Sequence, residues 1–195
     1  FKEMGKDILN MSTRIPLAAE GLAAIVASGG QSGIARKDLI SFAESAAKMG
    51  VAFDITADQA GEMMAKWRTA FKMGQPEVVE LADKVNYLSN KTAATAPLIS
   101  DVVTRVGPLG AIGGVAAGEI AALGASIVGA GINSEMGATG IKNLILALTS
   151  GESATKTQAG AFAALGLDAV EMSEYMQKDA KGAILTVLEG LKGLD

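Results

Sequence analysis

Between Val106 and Ser134 the chain reads VGPLGAIGGVAAGEIAALGASIVGAGINS, almost wholly Gly, Ala, Ile, Leu and Val, with one charge, Glu119. A stretch this poor in polar side chains has to be covered, by protein or by lipid. Its uninterrupted part predicts a helix from about Val115 to Gly129. At about 100° per residue, Ile120, Leu123 and Ile127 form one stripe, and Gly118, Ala122, Ala125 and Gly129 form the opposite one. Glu119 and Ser126 share an edge between them. Small residues three and four apart let a second backbone approach closely. Two readings stay open: a Gly/Ala-rich central helix between neighbours, or a membrane-active hairpin. Against the hairpin, Pro108 and the glycines at 107, 110, 113 and 114 interrupt the first part. What remains is shorter than the ~20 residues a bilayer span needs.

The composition narrows the chemistry more than the fold. Among 195 residues there is no Cys and no His. Disulfides, thiolate nucleophiles and Cys-based metal sites are therefore excluded, as is the commonest general base and metal ligand. The net charge of −4 is spread without blocks, so no basic footprint points to nucleic acid. With hydrophobics at 49% and aromatics at 4%, the core has to be built from Ala, Leu, Ile, Val and the nine Met. Twenty-four Gly in a helical pattern predict many short helices, because glycine inside a helix is costly. The chain opens at Phe1 in mid-pattern, without an initiator Met or a signal peptide, and is expected to be part of something longer.

Read in order, the periodicity predicts an all-α chain of eight to ten short helices. Residues 1–12 look like the end of one helix. Pro16 suits the first turn of the next, which runs through Ala27 to a Ser28–Gly33 loop. Over 35–49, Leu39, Phe42, Ala43, Ala46 and Met49 share a face, and Gly50 stands at the usual C-terminal glycine position. Thr56-Ala-Asp-Gln59 is a capping box for a helix to about Met73, burying Met63, Met64, Trp67 and Phe71. Gly74 then stops it and Pro76 opens the following helix. Thr95 is placed to cap a helix that Gly107-Pro108 ends, since Pro cannot continue the hydrogen-bond ladder. Beyond the central stretch, Ser134 is an N-cap candidate for a helix to about Leu148, with a start near Thr139 as the alternative. A helix over 154–165 would bury Ala159, Phe162 and Leu165. Asp168-Ala-Val-Glu171 is a second capping box, opening a short helix with Met172 and Met176; a last helix runs from about Ala180 to Leu191. No strand survives this pass, and no fixed repeat emerges. The whole, 1–195, reads as one helical module with possible sub-lobes at 1–106 and 107–195.

Carboxylates are the catalytic groups that remain. Glu119, set in the apolar centre, could act as a general acid, or simply stand in the first turn of its helix where negative charge is favourable. The nearest flanking acids are Asp101 and Glu135. Ser89 and Lys91 do not make a nucleophile–base pair on spacing alone. The Ser28–Gly33 glycines could form an anion nest but lack a phosphate-loop pattern, and read as an interhelical turn. The Met/Trp stripe around Trp67 reads as core. No catalytic, cofactor-binding or metal-binding residue is assigned.

The order of features resembles the core region of phage tail tape measure proteins. It is carried by the short helices stopping at Gly50 and Gly74, and by Phe53-Asp-Ile-Thr-Ala-Asp-Gln-Ala60. Leu81-Ala-Asp83 through Tyr87-Leu-Ser-Asn90 and the small residues from Gly114 to Leu123 continue it. Gly131-Ile-Asn-Ser-Glu-Met-Gly-Ala-Thr-Gly140, Leu144 to Leu148 and Leu165-Gly-Leu167 complete it. The resemblance covers nearly all of 20–190. It implies a mostly helical protein in the lumen of the virion tail tube, made in the host cytoplasm. It implies a scaffold for tube polymerisation that sets tail length and leaves during infection, some such proteins helping the genome through the envelope. Implied partners are the tail tube protein, tail assembly chaperones, the baseplate hub and other copies of itself, with no sequence-specific nucleic acid. No matched residue is catalytic in that family. Three functions are therefore weighed: a scaffold module, a membrane-active segment at 106–134, and a glycan-cleaving acid working through Glu119. The many Gly and Pro exclude one extended helix and predict a compact module.

Overall fold

The computed structural model describes residues 2–193, and among them every regular element is helical. The α-helices are α1 (Lys2–Ser12), α2 (Ala19–Gln31), α3 (Leu39–Phe53), α4 (Ala57–Phe71), α5 (Gln75–Lys91), α6 (Ala96–Ile112), α7 (Ala117–Gly129), α8 (Ser134–Leu148), α9 (Lys156–Ala164), α10 (Ala169–Lys178) and α11 (Ala180–Lys192). Short 3-10 turns precede α3 at Arg36–Asp38 and α9 at Gly151–Ser153. Phe1, which begins the first expected helix, lies outside the described residues.

Eleven α-helices replace the expected eight to ten. The larger number is possible because one or a few residues suffice to close one helix and open the next, so each segment read from the pattern is its own helix. Between α10 and α11 stands a single residue, Asp179. Its N–H donates to the Tyr175 carbonyl at 2.8 Å, closing one helix. Its Oδ1 accepts from the Gly182 N–H at 2.9 Å, opening the next. The α3–α4 and α4–α5 turns are made by Asp54 and Lys72, both left-handed with φ 55°.

Several boundaries move outward because packing overrides local breakers. Gly50 does not end its helix; it lies buried within α3, where a Cβ would come 3.0 Å from the Ile55 carbonyl oxygen. The glycine is needed for the close return of the chain into α4. At the start of α4 the capping box forms, with Gln59 N–H donating to Thr56 Oγ1 at 3.2 Å and Thr56 N–H to Gln59 Oε1 at 3.0 Å. The glycines at 29 and 30 likewise continue α2 rather than opening a loop. Pro108 sits inside α6, which runs on to Ile112. The ring withdraws one N–H from the ladder, yet the helix continues because Gly107 and Gly110 let neighbours close on it. A side chain at 107 would press on Phe71 and Ala70 of α4, and one at 110 would strike Ile120 of α7. Helix α8 starts at Ser134, not Thr139, but its N-cap is Asn133, whose Oδ1 accepts from the Glu135 N–H at 2.8 Å. In α9 only Phe162 is buried; Ala159 is exposed.

Four helices, α4, α5, α7 and α8, pack on helix α6. Helices α1 to α4 gather on the α4 side, around Phe42, Met64 and Trp67. Helix α7 lies against α5, α6 and α8, burying Ala117, Ile120, Ala121, Gly124, Ala125 and Val128. That face runs between the two stripes read from the sequence, and Ala122 and Ser126 are left exposed. A second close α6–α7 approach is at Gly124, where a Cβ would lie 3.0 Å from Cβ and Cγ1 of Val102. A β-branched side chain cannot rotate away from such a contact. Gly124→Leu is therefore expected to cost about 1–3 kcal/mol by overpacking. Gly140→Ala, in open space on α8, should instead gain about 0.5–1 kcal/mol. Urea unfolding followed by circular dichroism measures both.

Candidate functional site

The side chains that the sequence singles out for chemistry have structural partners, although Ser100 Oγ and Gln75 Nε2 are buried without a hydrogen-bond partner. Glu119 stands in the first turn of α7, half-buried, and its Oε2 accepts from the Ala116 N–H at 3.0 Å. That is the reach-back arm of an N-terminal cap, satisfying a donor the helix itself cannot. Ser89 Oγ donates to the Asn86 carbonyl at 2.8 Å, while Lys91 Nζ lies 5.8 Å from the Tyr87 ring centroid. The two do not meet. Trp67 is fully buried and its indole N–H donates to Thr104 Oγ1 at 3.1 Å. Thr104 in turn donates to the Ser100 carbonyl at 2.8 Å. The Ser28–Gly33 segment is mostly helix, its last turn closed by Gly33 at φ 80°.

Asp101 and Glu135 do come together, but with Arg105 rather than with Glu119. On α6, Arg105 Nε donates to both Asp101 carboxylate oxygens at 2.8 and 2.9 Å. Its Nη2 donates to Glu135 Oε1 on α8 at 2.7 Å, and Ser134 Oγ donates to Asp101 Oδ2 at 2.7 Å. The Asp101 hydrogen bond holds the Arg105 guanidinium above its ordinary pKa, with Glu135 adding to it. This is a latch tying the start of α8 to the middle of α6. The i,i+4 spacing of Asp101 and Arg105 signals its first half in the sequence; the second half is tertiary. On α3, Lys48 lies 2.9 Å from Glu44 and holds its carboxyl below the usual carboxylate range, with Arg14 assisting.

Several depressions mark the surface, and two of them lie between helix pairs. One, of about 210 Å³ between α3 and α5, has Met49, Phe53 and Met64 as its floor and Lys48, Asp83 and Asn86 at its rim. The other, of about 270 Å³ between α7 and α11, is apolar, with Leu123, Ile184, Leu185 and Leu188 as walls and Glu119 and Lys181 at one end. Among the described residues, no group of three or more His, Cys, Asp or Glu could hold a metal ion. No helix among them is long and apolar enough to cross a membrane. The stretch from 106 to 134 is divided between the end of α6, a turn, α7 and a second turn.

Residues 5–195 match the family of phage-related minor tail proteins. The chain belongs to this family of phage tail tape measure proteins. A probable tape measure protein of Halomonas phage phiHAP-1 is 32% identical over 179 residues, which are 88% of this chain. The chain spans 21% of that relative's length. No solved structure matches it.

The hydrogen bond of Glu119 gives it a conformational task that can be separated from acid chemistry. Glu119→Gln keeps an acceptor for the Ala116 N–H and is expected to change stability by less than about 0.5 kcal/mol, whereas Glu119→Ala should lose about 0.5–1 kcal/mol. Neither variant should alter turnover of peptidoglycan fragments incubated with the chain. A glycan-cleaving activity lost in Glu119→Gln would reverse this assignment.

Proposed function

We propose that this chain is a structural module of a tape measure protein, scaffolding the assembly of the tail tube and helping to set tail length. The observation that carries the reading is the 32% identity, over 88% of the chain, to a probable tape measure protein. The packing is consistent with it. Polar side chains serve as caps and interhelical ties, and the helices are short and mutually buried. On this reading the module is not an enzyme. It lies within the core region of a longer protein, in the lumen of the tail tube once the virion is complete and in the host cytoplasm before that; the division expected between 106 and 107 falls inside α6 and does not part the fold. Its partners are the tube protein, the tail assembly chaperones, the baseplate hub and further copies of itself.

A compact module contributes to a ruler differently from an extended one. The described residues, laid out as one helix, would measure about 290 Å at ~1.5 Å per residue. Phage carrying an in-frame deletion of this module should fail to build regular tails, seen by electron microscopy. Tails of normal length and full infectivity would overturn the reading. Tails shortened by about 290 Å would show the module to be extended in the tube. Normal-length tails that fail to infect would instead favour action by residues 106–134 at the cell envelope.

A further inference from the structure

We propose that α9, α10 and α11 form an arm that lifts from α1–α8 as one unit, turning about Gly151–Ser153, while the α1–α8 body stays folded. The two parts are joined very unequally. Within the body, α6 is enclosed by four helices and tied to α8 by the Arg105 latch. Between body and arm, no ion pair is formed among the described residues. One side-chain hydrogen bond crosses, from Ser173 Oγ to the Thr149 carbonyl, and at 3.4 Å it is at the limit of such a bond.

What holds the arm is apolar and local. Helix α10 rests on α8 and on the Gly151–Ser153 turn. Met176, fully buried, points its methyl group at Gly113 beside Ile145; a Cβ at 113 would lie 3.7 Å from Met176 Cε. Met is the adaptable side chain for such a seat, and its contact breaks and reforms without leaving a polar group unpaired. Helix α11 packs chiefly on α10, and where it faces α7 the two are parted by the apolar depression of about 270 Å³. Helix α9 contributes one buried residue, Phe162. Within the arm the ties are closer, through Asp179 capping α11 and Leu165 lying against Gly190. The chain enters the arm through Gly151 at φ 50°, a conformation that favours glycine, followed by a single 3-10 turn. Segments with few buried contacts open at lower free energy than the core, in cooperative units. Lifting the arm bares Leu123 and Ile145 on the body, and Met176 and Ile184 on the arm, as apolar surface that the closed form covers.

Native-state hydrogen exchange, read by mass spectrometry on the whole chain, tests this. Amides of α10 and α11 should share one opening step and be protected at least about tenfold less than those of α6 and α8. Met176→Ala should lower protection in the arm by a further tenfold or so and leave α6 unchanged. Arm amides as well protected as those of α6 would overturn the proposal. So would a Met176→Ala variant in which arm and α6 lose protection equally, since that would make them one cooperative unit. Neither outcome depends on the assignment to phage tails.

Discussion

The fold depends on how closely α4 and α7 approach α6. The approach is possible because the facing positions are glycine: Gly107 against Phe71 and Ala70, Gly110 against Ile120, and Gly124 of α7 against Val102. Each missing side chain brings two backbones nearer and lets Ile120, Val102 and Val103 be fully buried between them. A chain with so few aromatics has little large apolar surface per residue to bury. It makes up the deficit in dispersion, which falls away over fractions of an ångström. Close packing of small residues is the form such a core takes.

Polar chemistry is arranged around that core in the service of helix ends and helix pairing. Glu119, Asn133, Thr155, Asp168 and Asp179 each accept a backbone N–H at a helix start. With many short helices there are many starts, and each exposes donors that the helix cannot satisfy. Carboxylates and hydroxyls that another protein would spend on a ligand are here engaged by the backbone. Asp101, Arg105, Ser134 and Glu135 instead engage one another, tying α6 to α8. Such a surface suits a module whose work is to hold a shape and be recognised along its faces.

The sequence made the helices themselves legible, and the reasons are visible in particular residues. Thr56 and Gln59, Pro76, and Asp168 act through local hydrogen bonds or a fixed φ, so their effects are the same in any fold. Several misplaced boundaries involve residues whose role is tertiary, while others are local: Pro16 stands in the bend before α2 and not in its first turn, and Thr95 makes no side-chain cap. Gly50 and Gly107 look like stops because a glycine in isolation weakens a helix, and only the neighbouring chain reveals why no side chain fits. Pro108 breaks a ladder that packing then carries across. Asn133 was overlooked beside Ser134, since both types cap helices; Ser134 turns instead to Asp101, a partner 33 positions away. Thr155 and Gln158 spell a capping box that could have been read directly. The Arg105 latch was half legible, its Asp101 partner at helical spacing and its Glu135 partner not. The family, by contrast, was carried by the order of weak features along most of the chain, which survives small errors in every boundary.

Membership in a tape measure family raises the question of how a ruler can contain a folded knot of short helices. Eleven α-helices packed on one another shorten the path of the chain far below its helical contour length. Under the function proposed above, the described residues would act as a body that neighbours can grip, rather than as a measured length. Small-angle X-ray scattering of the chain in dilute solution tests that claim most directly. A compact body of this size should give a radius of gyration of about 16 Å. A value several-fold larger, approaching the roughly 80 Å of a single continuous helix, would contradict it.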